Sequence, residues 1–136
     1  MSRIDHIDHI GIAVQDLEAA MRPWVEGLGL KVAAVETLES ERVRVAMLPV
    51  GETKLELLQP TSPESAIAKF MEKRGTGIHH IALHVESVTA ALEALKAAGV
   101  PLIDQAPRQG AGGMKVAFAH PKGFGGVLVE VVEGHH

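Results

Sequence analysis

A seven-residue pattern occurs twice in this chain. Asp8-His9-Ile10-Gly11-Ile12-Ala13-Val14 is answered by His79-His80-Ile81-Ala82-Leu83-His84-Val85, which places His9 and His80 71 residues apart. An apolar stripe at i, i+3, i+4, i+7 follows each copy: Leu17, Ala20, Met21 and Trp24, then Val88, Ala91, Leu92 and Leu95. Such a stripe is one face of an amphipathic helix. Asp16 and Ser87 stand just before the stripes, where N-caps belong. Gly27, Gly29 and Gly99 follow them, where helices end. Further on, Lys54–Leu58 and Leu128–Val132 are both short, mostly apolar segments with one central glutamate, Glu56 and Glu130. These glutamates are 74 residues apart, so three residues were gained between the two copies.

The 136 residues therefore read as one domain, 1–136, made of two modules. Module one spans 5–60 and module two 77–133. A linker, 61–76, carries a short helix at 64–73. Strands are expected at 7–14, 30–38, 41–49, 53–59, 78–85, 100–103, 113–120 and 126–133. Val43, Val45 and Met47 alternate with Arg42, Arg44 and Ala46, a strand period. Pro49-Val50-Gly51-Glu52 suits a hairpin turn. If Val50 and Gly51 are its central residues, Val45 faces Glu56. Helices set among antiparallel strand triplets make the class α+β, two tandem βαβββ modules, rather than a doubly wound parallel sheet.

Composition removes several function classes. The formal charge is −4 and aromatics are only 3%, so neither a phosphate-neutralising face nor a base-stacking platform is implied, and no nucleic-acid partner is expected. Without cysteine there are no disulfides, no thiolate catalysis and no Cys-type zinc sites. No apolar run is long enough to cross a bilayer, and Met1–His9 has no apolar signal-peptide core, so a soluble cytoplasmic protein without a membrane partner is expected.

Eight histidines and many acids remain, which permits a metal site of imidazole and carboxylate. His9, His80, Glu56 and Glu130 lie in otherwise apolar strands. A buried, uncompensated carboxylate costs several kcal/mol. A single strand histidine is ordinarily structural; recurrence in matching places argues for more. A two-fold arrangement of the modules would bring all four residues to one divalent ion. His79, adjacent to His80, would face the other way. His6, His84 and His120 have no partner at the repeat offset and read as surface or supporting residues. His135 and His136 read as a tail or the remnant of a tag.

Several stretches resemble the methylmalonyl-CoA epimerase family of the vicinal oxygen chelate superfamily. They are Asp8–Val14, Leu55-Glu56-Leu57-Leu58-Gln59-Pro60, Ser62–Phe70, Gly77-Ile78-His79-His80-Ile81-Ala82, His120-Pro121-Lys122 and Gly125-Gly126-Val127-Leu128-Val129-Glu130. The resemblance implies a curved mixed sheet around a metal held by His9, Glu56, His80 and Glu130. Co²⁺ is the first choice, with Ni²⁺, Mn²⁺, Zn²⁺ and Fe²⁺ as alternatives. It implies methylmalonyl-CoA as substrate, inverted at C2 by metal-assisted proton removal and return through an enolate, in a homodimer. Exchange on both faces of C2 needs two bases or one mobile base. Glu130 is the first, doubling as a ligand. Bacterial relatives place the second in a Val-Arg-Glu-Ala-Met-Leu segment, which here is Val43-Arg44-Val45-Ala46-Met47-Leu48. Valine moves no proton, so Glu56 is the expected second catalytic carboxylate. Lys115, Lys122 and Arg108 are available for coenzyme A phosphates, and Gly110–Gly113 for the substrate carboxylate. The alternatives are a glyoxalase I-like lactoylglutathione lyase, and a non-catalytic small-molecule-binding protein of the same superfamily.

Overall fold

The computed structural model describes residues 3–134. His135 and His136, read as a tail or the remnant of a tag, lie outside them. The chain divides into two compact units: His9–His79, and the N-terminal residues up to Asp8 together with the chain from His80 onward. Among the described residues, no helix is long and apolar enough to cross a membrane.

The first unit takes β1 (Ile4–Ala13) from His9 onward, α1 (Leu17–Arg22), β2 (Ala34–Leu38), β3 (Val43–Val50), β4 (Thr53–Pro60) and α2 (Ala66–Arg74). Its strand order is β2-β3-β4-β1. β1 and β4 run parallel, and the other neighbours antiparallel. Ala46, Leu48 and Leu57 face α1 and cluster with Val14 and Leu17. Leu17, Leu48 and Leu57 are fully buried, worth roughly 1.5–3 kcal/mol each. A six-residue helix could not stand alone, so this packing holds it.

Asp16 caps α1 as expected, its Oδ1 accepting from the Ala19 N–H at 3.2 Å. The helix is shorter than its stripe. Pro23 opens a wider turn, Pro23–Gly27, in which Leu28 N–H donates to Pro23 O at 3.1 Å. Trp24 still packs on the core from that turn. Leu30 N–H then bonds back to Trp24 O at 2.9 Å, closing the helical segment, and the strand expected from residue 30 begins only at Ala34, just after Ala33 N–H reaches Met47 O at 2.8 Å.

The second unit takes β5 (Gly77–Val85) from His80 onward, α3 (Val88–Ala97), β6 (Arg108–Gln109), β7 (Lys115–Ala119) and β8 (Val129–Glu133). Again one neighbouring pair, β5 and β8, is parallel and the rest antiparallel. Ser87 caps α3 through the Ala90 N–H at 3.1 Å. Val85, Val88, Leu92, Ala117 and Val131 form the core under the helix. The strand expected at 100–103 is absent: Pro101 has no N–H to give a ladder, and Leu102 makes a single bridge to Ala119. The two-residue β6 pairs with β7 instead. Gly110, beside β6, must lack a side chain, because a Cβ there would lie 2.6 Å from a Val116 methyl. β7 and β8 are joined by residues 120–128, which include a short turn of helix at Pro121–Phe124.

The β3–β4 hairpin corrects the expected register. Val50 pairs with Thr53, so Gly51 and Glu52 are the central turn residues. Gly51 has φ +63° at the first of these positions, where a two-residue turn of the II′ kind requires glycine and a β-branched valine would be strained. Val45 therefore pairs with Leu58, and Met47 with Glu56. The slip is two residues, so each side chain keeps its face.

Candidate active site

In the first unit, His9 and Glu56 are both about 5% exposed or less. His9 Nδ1 lies 3.4 Å from Glu56 Oε2. In the second, His80 and Glu130 are equally buried, with His80 Nε2 3.0 Å from Glu130 Oε1. The strand registers explain the likeness. Glu56 pairs with Gly11, and Glu130 with Ala82. Each partner lies two residues beyond its histidine, so histidine and glutamate share a face on neighbouring strands, and a small residue leaves the carboxylate room.

A second equivalence caps the helices. Gln59 Oε1 accepts from the Leu17 N–H at 2.7 Å, and Glu133 Oε1 from the Val88 N–H at 2.8 Å. Gln59 and Glu133 stand at the same 74-residue offset as the two glutamates, three residues beyond each. Sequence reasoning missed them, although the offset could have found them.

Each unit thus supplies one buried imidazole and one buried carboxylate. A carboxylate only accepts, and a proton on the imidazole or a shared cation would offset part of the cost of its burial. Nitrogen and oxygen donors of this kind fit a divalent first-row ion.

A family model, the glyoxalase/bleomycin resistance protein/dioxygenase superfamily, matches residues 8–118. An ethylmalonyl-CoA/methylmalonyl-CoA epimerase of Cereibacter sphaeroides is 42% identical over 94% of this chain and 97% of its own. The chain belongs to the methylmalonyl-CoA epimerase family. A solved methylmalonyl-CoA epimerase in complex with methylmalonyl-CoA and NH₄⁺ is 38% identical, with a TM-score of 0.93 over 97% of this chain and 96% of that one. An uncharacterised Bacillus subtilis protein is 43% identical over 96% and 93%.

Against this epimerase background, Val45 is buried at 1% exposure. Its other cross-strand neighbour is Glu36 of β2, which is half-buried. Glu36 thus shares the face of Val45, Met47 and Glu56, and the sequence pattern did not single it out. In the second unit Phe118 pairs with Glu130. Its ring meets His80 edge-on at 5.5 Å, and the Arg108 guanidinium lies 5.1 Å from the centre of that ring. Arg108 also approaches Asp104 at 3.2 Å. Pro107, Arg108, Gln109, Gly113, Met114 and Lys115 line a cleft of about 320 Å³.

The remaining histidines are occupied otherwise. His79 is met edge-on by Phe70 at 4.8 Å. His120 Nδ1 accepts from the Lys122 N–H at 3.0 Å, capping the turn after β7. His84, read as a surface or supporting residue, is buried and stacks on His6 with ring centres 5.0 Å apart. Burial would depress the His84 pKa. Its bond to the Gly134 carbonyl, then Asp5, then the charge of Asp8, instead hold it above the ordinary 6.5.

Proposed function

We propose that this chain is a methylmalonyl-CoA epimerase, interconverting the (2R) and (2S) forms by proton removal and return at C2 through an enolate. The observation that carries the reading is the buried His–Glu pair occurring at the same register in both units, within a chain of this family. Four buried donors at matching repeat positions support His9, Glu56, His80 and Glu130 as joint ligands of one divalent ion, Co²⁺ in first place. When bound, such an ion supplies Lewis acidity that lowers the cost of negative charge on the acyl oxygens.

Glu130 removes the proton from one face of C2 in one direction of turnover and delivers a proton to that same face in the reverse direction. Its burial beside Phe118 and His80 keeps bulk water from that carboxylate. Glu56 serves the other face. The α-hydrogen of a thioester is weakly acidic, so a base held in place contributes roughly 10²–10⁴-fold. Arg108 and Lys115, on the cleft beside β7, suit the phosphates of coenzyme A. We place the protein in the cytoplasm as a homodimer, on the strength of the family resemblance.

The test uses each pure epimer of methylmalonyl-CoA, and of ethylmalonyl-CoA, in deuterated buffer with Co²⁺-loaded protein. Loss of the C2 proton signal together with convergence of the two epimers is expected. Retention of that proton with every divalent ion, or turnover of a glutathione–methylglyoxal adduct instead, overturns the proposal.

A further inference from the structure

Three ligating side chains of the second unit converge away from His80 and Glu130. Asp5 Oδ1 lies 2.9 Å from His6 Nδ1 and 2.9 Å from His84 Nδ1. One nitrogen or oxygen from each of the three residues falls within 4.8 Å of the others. His84 Nε2 lies 2.8 Å from the Gly134 carbonyl oxygen. A carbonyl only accepts, so Nε2 carries a proton and donates it. In neutral His84 the lone pair is then on Nδ1 and points at the Asp5 carboxylate, another acceptor. Only a cation between them makes that contact favourable: a proton, or a metal ion. The Nε2–H bond to a backbone carbonyl is the outer-shell arrangement that fixes a metal-ligating histidine's tautomer.

We propose that Asp5, His6 and His84 form a second divalent-cation site, of the zinc type, separate from the His9/Glu56 and His80/Glu130 residues. Two imidazoles and one carboxylate are a common three-ligand set for zinc, with the fourth position left to water. The side chain of Asp5 is 55% exposed and that of His6 24%, so the fourth position reaches solvent. Ligand atoms around a tetrahedral zinc lie about 3.3 Å apart, given zinc–ligand distances of about 2.0–2.1 Å. The 2.9 Å contacts need open by only a few tenths of an ångström. The His6 and His84 rings stack with 15° between planes, and both Nδ1 atoms meet the same carboxylate oxygen. Zinc takes the place of the Nδ1 protons, so uptake releases protons and strengthens as pH rises.

The proposal does not rest on the epimerase reading, and the test separates the two. Bound Zn²⁺ per chain is measured after equilibrium dialysis against buffered free zinc. Wild type is expected to hold two ions. Asp5→Asn and His6→Gln, both at accessible positions, should each hold one, with affinity for the second weakened at least about tenfold and epimerase turnover unchanged. His9→Ala with His80→Ala should also hold one, and adding His6→Gln should remove it. In ¹⁵N-labelled protein, zinc should shift the His84 Nδ1 resonance and leave Nε2 protonated. Unchanged zinc content in both Asp5→Asn and His6→Gln, or no shift at His84 Nδ1, overturns the site.

Discussion

Met47, not Val45, stands directly across the hairpin from Glu56. Val45 is the diagonal neighbour on the same face, and Glu36 stands beyond it on β2. The carboxylate missing at Val45 thus has two neighbours on that face able to replace it. If Glu56 is the second base, Glu56→Gln suppresses deuterium exchange at C2 from one epimer far more than from the other, and Glu130→Gln shows the opposite preference. Each loses at least about 10²-fold in its own direction. Val45→Glu combined with Glu56→Gln should restore part of the activity. Equal loss in both directions from Glu56→Gln, with metal retained, would show that Glu56 tunes the metal rather than moving a proton, and the same exchange measurement on Glu36→Gln then tests the other neighbour.

His9→Ala and His80→Ala should each lose bound Co²⁺ and turnover together, because each removes one of four proposed ligands. Metal analysis after desalting checks this beside the rate. Binding should also weaken on acidification, as imidazole and carboxylate take up protons. Full metal content in both variants would remove the proposed centre.

Gln59→Ala and Glu133→Ala should each destabilise the protein by about 1–3 kcal/mol, the cost of leaving a partly buried backbone donor without its acceptor. Urea unfolding measures it. Gln59→Glu should recover most of the loss, because a carboxylate at a helix N-terminus accepts the same bond and meets the helix dipole favourably. No recovery would mean that the Gln59 amide nitrogen, not the accepting oxygen, matters.

The His84 pKa is raised, which fixes the sign of its pH dependence. A protonated imidazole with Asp5, Asp8, His6 and the Gly134 carbonyl around it stabilises the fold fully below the ordinary value of 6.5. That contribution is lost as pH rises through the higher folded value. In chelator, unfolding free energy measured between about pH 5 and about pH 9 should fall more steeply in wild type than in His84→Gln. Parallel curves would show that folding does not shift the His84 pKa.

The sequence made the repeat legible because histidine, glutamate, cap and apolar stripe each carry a local signal. Asp16 and Ser87 cap the helices where their side-chain chemistry places them, and the stripe residues from Leu17 to Trp24 pack as the period requires. The hairpin centre was not legible, since a turn can be centred on Val50–Gly51 or Gly51–Glu52 with the same residues. Only the backbone angle at Gly51 decides. The missing strand at 100–103 was misread because apolar content outweighed the absent N–H of Pro101. The Asp5–His6–His84 group joins residues 79 positions apart, and Glu36 and Phe118 come onto the faces of the glutamates only through the strand registers, which no local pattern encodes.

Met47 and Phe118, the neighbours across from Glu56 and Glu130, are 71 residues apart, while the glutamates are 74 apart. All three added residues therefore fall between β7 and β8, where a tight hairpin has become the 120–128 connection. Three is an odd number. Inserted within a strand, it would have rotated Glu130 out of its face and ended the site in one step. Placed in the connection, it was invisible to the carboxylate. The connection can thus change length at one end of one module while the face of Glu130 stays fixed. His120-Pro121-Lys122 and Gly125-Gly126 lie in that same connection, clear of the strand that carries Glu130.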